Sequence, residues 1–165
     1  MRNKFILLAL IVASVFSAAG NAQCNFSVVG TWKLVSVAST TDKDKTNKAA
    51  LGQHPSGLLT YTADGRMMAI ISDDGRKPLS IPDRIAAPAE ERAQAYSTFM
   101  AYAGCYTFTC DKVVHHVEVA SLQNWVNTDQ TRFVALEADR LYVRNTPQLR
   151  NGVMATLESV WERAK

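Results

Sequence analysis

VVHHVEVASLQNW, residues 113–125, sets two adjacent histidines in a run of β-branched and apolar residues. Its alternation reads as a strand, in which neighbouring side chains point to opposite faces. Val113, His115, Val117 and Val119 then share one face, and Val114, His116, Glu118 and Ala120 share the other. The first set is apolar apart from His115, so it faces inward, and His116 and Glu118 look out to water. On this parity the two histidines neither chelate one metal nor form a dyad, and His115 is left as the lone polar group on a buried face. Such a histidine is either a hydrogen-bonded core residue or a polar anchor or acid/base group for a ligand.

The same rhythm extends in both directions. VVGTWKLVSV (28–37) reads as the first strand, and GLLTYT (57–62) and RMMAIIS (66–72) flank ADG (63–65), a hairpin connection. CYTFT (105–109) precedes the histidine strand, with Tyr106 and Phe108 pointing inward. QTRFVAL (130–136) and RLYVRN (140–145) flank EAD (137–139), and ATLESVWERA (155–164) either closes the sheet or forms a short helix. On the strand at 130–136, Gln130, Arg132, Val134 and Leu136 share a face. If that face is interior, it brings an amide and a guanidinium into the core. A buried arginine needs a carboxylate, a phosphate, carbonyls or an aromatic stack as partner. Trp125 sits at a strand end, where a ring can line a barrel mouth. Met67 and Met68 are adjacent, so only one faces inward, and Met68 joins the candidate ligand-binding set.

One segment has a different period. APAEERAQAYSTFMAYAG (87–104) is alanine-rich, carries Glu90 and Glu91 early and ends at Gly104. This predicts a helix over about 88–103. Ala93, Tyr96, Met100 and Ala103 form one face, widened by Phe99, for packing against the outside or one mouth of the sheet. Many short strands, tight turns and one inserted helix give an all-β fold, a closed antiparallel barrel. A barrel of about eight strands can be filled or can hold one small ligand.

The 165 residues allow one domain. Residues 1–22 read as a secretory signal peptide: Arg2 and Lys4 precede the apolar run Phe5 to Phe16, and Gly20 and Ala22 suit a cleavage site. The run is too short to span a bilayer, and Gln23 is too large for the position before a lipid-modified Cys24. The mature domain is therefore 23–165, exported to a periplasm or secreted, with no membrane span. Losing Arg2 and Lys4 lowers the formal charge from +3 to +1, and the mixed charges of TDKDKTNK (41–48) read as a solvated loop. Neither points to nucleic acid. Three cysteines remain. If 105–109 is a strand, Cys105 and Cys110 lie roughly 16 Å apart, beyond the about 7 Å a disulfide spans. Cys24 is then the partner of one of them. No nucleophile elbow, phosphate loop, dinucleotide fingerprint or zinc-ligand spacing is present, and no metal or cofactor is expected.

The stretches GTWKLVS, G-LLTYTADGRMMAII, AYAGCY, VVHHVEVASLQNWVNTDQTRF and ADRLYV, in this order, resemble the bacterial and fungal lipocalin-like domain family. The resemblance runs from about Gly30 to Val143, and its most specific part is His115 to Arg132. It implies a lipocalin-like β-barrel with an internal pocket. Tyr61, Gly65, Arg66, Tyr106, His115, Asn124, Trp125, Gln130 and Arg132 match its recurrent positions. Gly30–Thr31–Trp32 is similar to the G-x-W signature of true lipocalins, whose tryptophan packs against a late arginine; Arg132 and Arg144 are the candidates here. The chain departs from the family pattern at Gln123, where proline is common, at Asn127, where glycine is common, and in its cysteines and signal peptide. The functional expectation is a binding protein for a small hydrophobic or amphipathic molecule. Tyr61, Met68, Tyr106, His115, Trp125, Gln130 and Arg132 form the pocket, and His115, Gln130 and Arg132 fix a polar or acidic head. The alternatives are an isomerase- or cyclase-type enzyme using His115 or Tyr106, and a filled structural barrel.

Overall fold

The computed structural model describes residues 24–41, 44, 48–150 and 152–165. The segment 1–22, read above as a signal peptide, and most of the charged stretch 41–48 lie outside the described residues. The strands are β1 (Gly30–Thr41), β2 (Lys48–Ala49), β3 (Ser56–Tyr61), β4 (Arg66–Ser72), β5 (Phe99–Thr109), β6 (Lys112–Ala120), β7 (Asp129–Glu137), β8 (Arg140–Asn145), β9 (Gln148–Arg150) and β10 (Val153–Arg163). The helix α1 (Ala89–Ser97) lies between β4 and β5. Each long strand pairs antiparallel with the next, in the order β1-β3-β4-β5-β6-β7-β8-β10, and β10 returns to β1. Closure leaves this eight-stranded barrel without a free edge. The short β2 and β9 extend from β1 and β10.

Residues 155–164 fall in the closing strand. Trp32 pairs with Arg163 at one end of the seam and Thr41 with Ala155 at the other. The turns follow their residues: Gly65 ends the β3–β4 hairpin at φ 85°, which costs glycine little.

The helix is shorter than its alanine-rich pattern predicts. It ends at Ser97, and Phe99–Ala103 belong to β5. Ala101 and Tyr102 pair with Ile70 and Ala69 of β4, so closing the sheet overrides the local helical preference. The predicted face is also absent. Met100 and Ala103 lie on a strand, Tyr96 is exposed, and α1 buries none of its own residues. Glu91 instead accepts hydrogen bonds from Ser80, and Arg76 donates to the Ala95 carbonyl.

The parity of β6 holds as far as Val117 and then inverts. Val113, His115 and Val117 are buried, but Val119 is 62% exposed and Ala120 packs against the core. The cause is a β-bulge: Gly104 pairs with Val117 and Ala103 with Val119, leaving Glu118 as the extra residue. One inserted residue turns every later side chain to the other face. Gly104 permits the bulge, because a Cβ there would overlap the His116 carbonyl. Beyond it, Asn127 donates to the Val117 carbonyl at 2.8 Å and adopts φ 61°. Asparagine tolerates that left-handed geometry at the position where the family commonly has glycine.

The core divides along the barrel axis. At the closed end Val28, Trp32, Tyr61, Val113, Leu141 and Trp161 are buried almost completely. Each large apolar side chain removed from water contributes roughly 1.5–3 kcal/mol. The arginine on Trp32 is Arg163, 4.2 Å from the ring centroid, and neither Arg132 nor Arg144 takes that place. Arg132 lies by Trp125 and Arg144 by Phe133, whereas the β1–β10 register sets Arg163 opposite Trp32. The chain before β1 covers this end: Trp32 Nε1 donates to the Val28 carbonyl at 2.8 Å, and Phe26 meets Phe108 edge-on. Cys24 is bonded to Cys110 in the β5–β6 turn, and Cys105 is a free thiol.

Candidate functional site

The other half of the barrel is hollow. A cavity of about 680 Å³ opens at the end opposite the disulfide, within the roughly 300–1,000 Å³ typical of small-molecule sites. This volume speaks against a filled barrel. Val37, Leu51, Leu59, Ala69, Ile71 and Leu157 give it an apolar lining, and Asp73, Ser97 at the end of α1, Thr98, and Leu149 and Arg150 of β9 also line it.

Strands β7, β8 and β9 bring Arg132, Asn145 and Gln148 to its polar lining. Arg132 pairs across the sheet with Asn145, and both line the cavity. Asn145 Oδ1 accepts from the Leu157 backbone N–H at 2.6 Å, and its Nδ2 donates to Gln148 Oε1 at 3.1 Å. Gln148 Nε2 donates to Gln130 Oε1 at 3.1 Å, and Gln130 Nε2 to Thr128 Oγ1 at 3.0 Å. Three amides are thus linked into one wall. Arg132 is 6% exposed. Its Nη1 donates to the Thr131 carbonyl at 3.0 Å, and its guanidinium carbon stands 5.7 Å from the Trp125 ring centroid. Among the described residues no carboxylate forms an ion pair with it. Enclosing an unpaired cation costs on the order of several kcal/mol, and the interaction with an aromatic ring returns only about 0.5–2 kcal/mol.

His115 also lines the cavity, but its ring is already partnered. It is 1% exposed, and both ring nitrogens are engaged: Tyr61 Oη lies 2.8 Å from Nε2 and Tyr102 Oη 3.0 Å from Nδ1. Burial, followed by the positive charge of Arg132 and then His116, lowers its pKa to about 3. The imidazole is neutral near pH 7, so one tyrosine hydroxyl donates to its bare nitrogen and the other accepts its N–H. Neither nitrogen is left for a substrate. Burial, with Tyr102 adding to it, also raises the pKa of Tyr61 well above its ordinary value.

The remaining expected residues separate. Trp125 and Arg132 line the cavity. Gln130 supports the cavity wall through Gln148. Tyr61 lies toward the closed end beneath His115, and Tyr106 packs edge-on against Tyr61 and donates to the Thr62 carbonyl at 3.0 Å. Met68 is 50% exposed on the outer surface, and Met67 is the buried neighbour. The β3–β4 register explains this correction, because Met67 faces buried Tyr61 and Met68 faces Thr60.

Tyr102, Asn145 and Gln148 complete the site without having been singled out. Tyr102 was concealed by the helical pattern. Asn145 has a sequence signal, since it follows buried Leu141 and Val143 at period two. Gln148 has none, because it enters on a short strand after a turn. On the outer face His116 Nδ1 lies 2.7 Å from Asp129 and Nε2 2.9 Å from Thr107, while Glu118 pairs with Arg66.

Residues 29–164 match the model of a family described as the lipocalin-like domain, and the chain belongs to that family. No curated protein matches the chain.

Proposed function

We propose that this member of the lipocalin-like domain family is an exported carrier that holds one small, mainly hydrophobic molecule in its barrel. The observation that carries the reading is the cavity of about 680 Å³, enclosed by barrel strands and lined largely by apolar side chains. An apolar molecule moved from water into such a space gains roughly 25 cal/mol for each Å² of surface buried. Export is supported by the Cys24–Cys110 disulfide, a bond that persists in oxidising compartments. Among the described residues no helix is long and apolar enough to cross a membrane.

The acid/base alternative loses support at His115, whose nitrogens are both held by tyrosines. Tyr106 is likewise engaged with a backbone carbonyl.

The test is titration of the mature protein with the neutral fluorophore N-phenyl-1-naphthylamine. Saturable enhancement at one probe per chain, reversed by a competing apolar molecule, is the expected result. Absence of saturable binding by the probe and by candidate ligands in calorimetry overturns the carrier reading.

A further inference from the structure

We infer that the ligand is a monocarboxylic acid whose carboxylate is received by Arg132; the inference rests on the carrier reading above. Arg132 brings a full positive charge into an enclosed, largely apolar space, and the described residues supply no carboxylate to pair with it. One guanidinium N–H group is used on the Thr131 carbonyl. The side chain lines the cavity and leaves no fully buried orphan among the described residues, so its remaining donors face the open space. A guanidinium presents donors in a planar fork matched to a carboxylate. Asn145 lies beside it across the β7–β8 ladder, and its amide has a second N–H beyond the one given to Gln148.

The opposite wall fixes the rest of the molecule. Strand order sets β7 and β8 across the barrel from β3 and β4, which contribute Leu59, Ala69 and Ile71 to the lining. Acid and hydrocarbon therefore meet different walls. A single charge is favoured over a diacid, because Arg132 is the one buried cation among the described lining residues, whereas the second, Arg150, is exposed on β9 and has the Asp73 carboxylate near it.

The test compares dodecanoic acid with its methyl ester and with dodecanol, by displacement of N-phenyl-1-naphthylamine at neutral pH. A hydrogen bond to a charged group predicts about a tenfold to hundredfold preference for the acid. In Arg132→Gln, shown to be folded by circular dichroism, the acid loses this preference over its ester and alcohol. If the probe binds and wild-type protein treats acid, ester and alcohol alike, the carboxylate assignment is wrong and the carrier reading survives. If neither the probe nor any of the three binds, both fail. The wild-type comparison decides the matter even if the variant does not fold. A retained preference in a folded Arg132→Gln protein overturns the assignment to Arg132.

Discussion

Acidification tests the buried histidine directly. Unfolded, His115 titrates near 6.5; folded, its pKa is about 3, because burial and the nearby Arg132 oppose a second charge. Between these values the unfolded chain binds a proton that the folded chain refuses. Stability is therefore fully present above pH 6.5 and falls as pH drops toward 3. The slope approaches about 1.4 kcal/mol for each pH unit, reaching half of that at pH 6.5, so this one group removes about 2 kcal/mol between pH 6.5 and 4.5. Urea unfolding of wild type and His115→Gln at a series of pH values isolates the effect. The carboxylates that protonate over the same range are common to both proteins and cancel in the difference. The variant starts less stable, having disturbed the bonds to Tyr61 and Tyr102, so slopes are compared and not absolute values. The wild-type slope should exceed the variant's below pH 6.5. Parallel curves would refute the reasoning, as would an imidazole resonance assigned to His115 that titrates near pH 6.

The bulge and the disulfide give two further tests. Gly104→Ala forces a methyl group against the His116 carbonyl and should cost about 1–3 kcal/mol in urea unfolding, in the range of overpacked interiors; an unchanged midpoint would mean that the bulge does not depend on the glycine. The double variant Cys24→Ser and Cys110→Ser opens a loop with a sequence separation of 86, which predicts a loss of about 4–5 kcal/mol from loop-closure entropy. A loss below about 1 kcal/mol would show that the chain before β1 stays docked through Phe26 and Val28 without the bond.

The barrel was legible because its signal is local and repeated. Period-two runs separated by turn residues recur along the chain, inward parity at Val113 and His115 follows from the apolar face they share, and strand geometry puts Gln130 and Arg132 on one face. The same rule failed where a strand was irregular. Val119 faces out because Glu118 is inserted, and nothing local to VVHHVEVA marks the insertion; the mark is Gly104, on another strand. Met68 failed for a related reason, since parity says that one of two adjacent methionines faces inward without saying which. The choice was made by pairing with β3.

The sequence by itself determined a closed antiparallel barrel, one shared face for Gln130, Arg132, Val134 and Leu136, a pairing of Cys24 with one of two later cysteines, and membership of a family. These follow from alternation, residue chemistry, chain length and motif order, all readable along one dimension. Tertiary structure decided the rest. It ended the helix at Ser97 by drawing Phe99–Ala103 into β5, chose Cys110 over Cys105, and set Arg163 on Trp32. It also set His115 in the cavity lining as a neutral residue held by two tyrosines, leaving Arg132 as the buried charge of the cavity. Each outcome depends on which strands lie side by side and in what register, and that is settled only when the barrel closes.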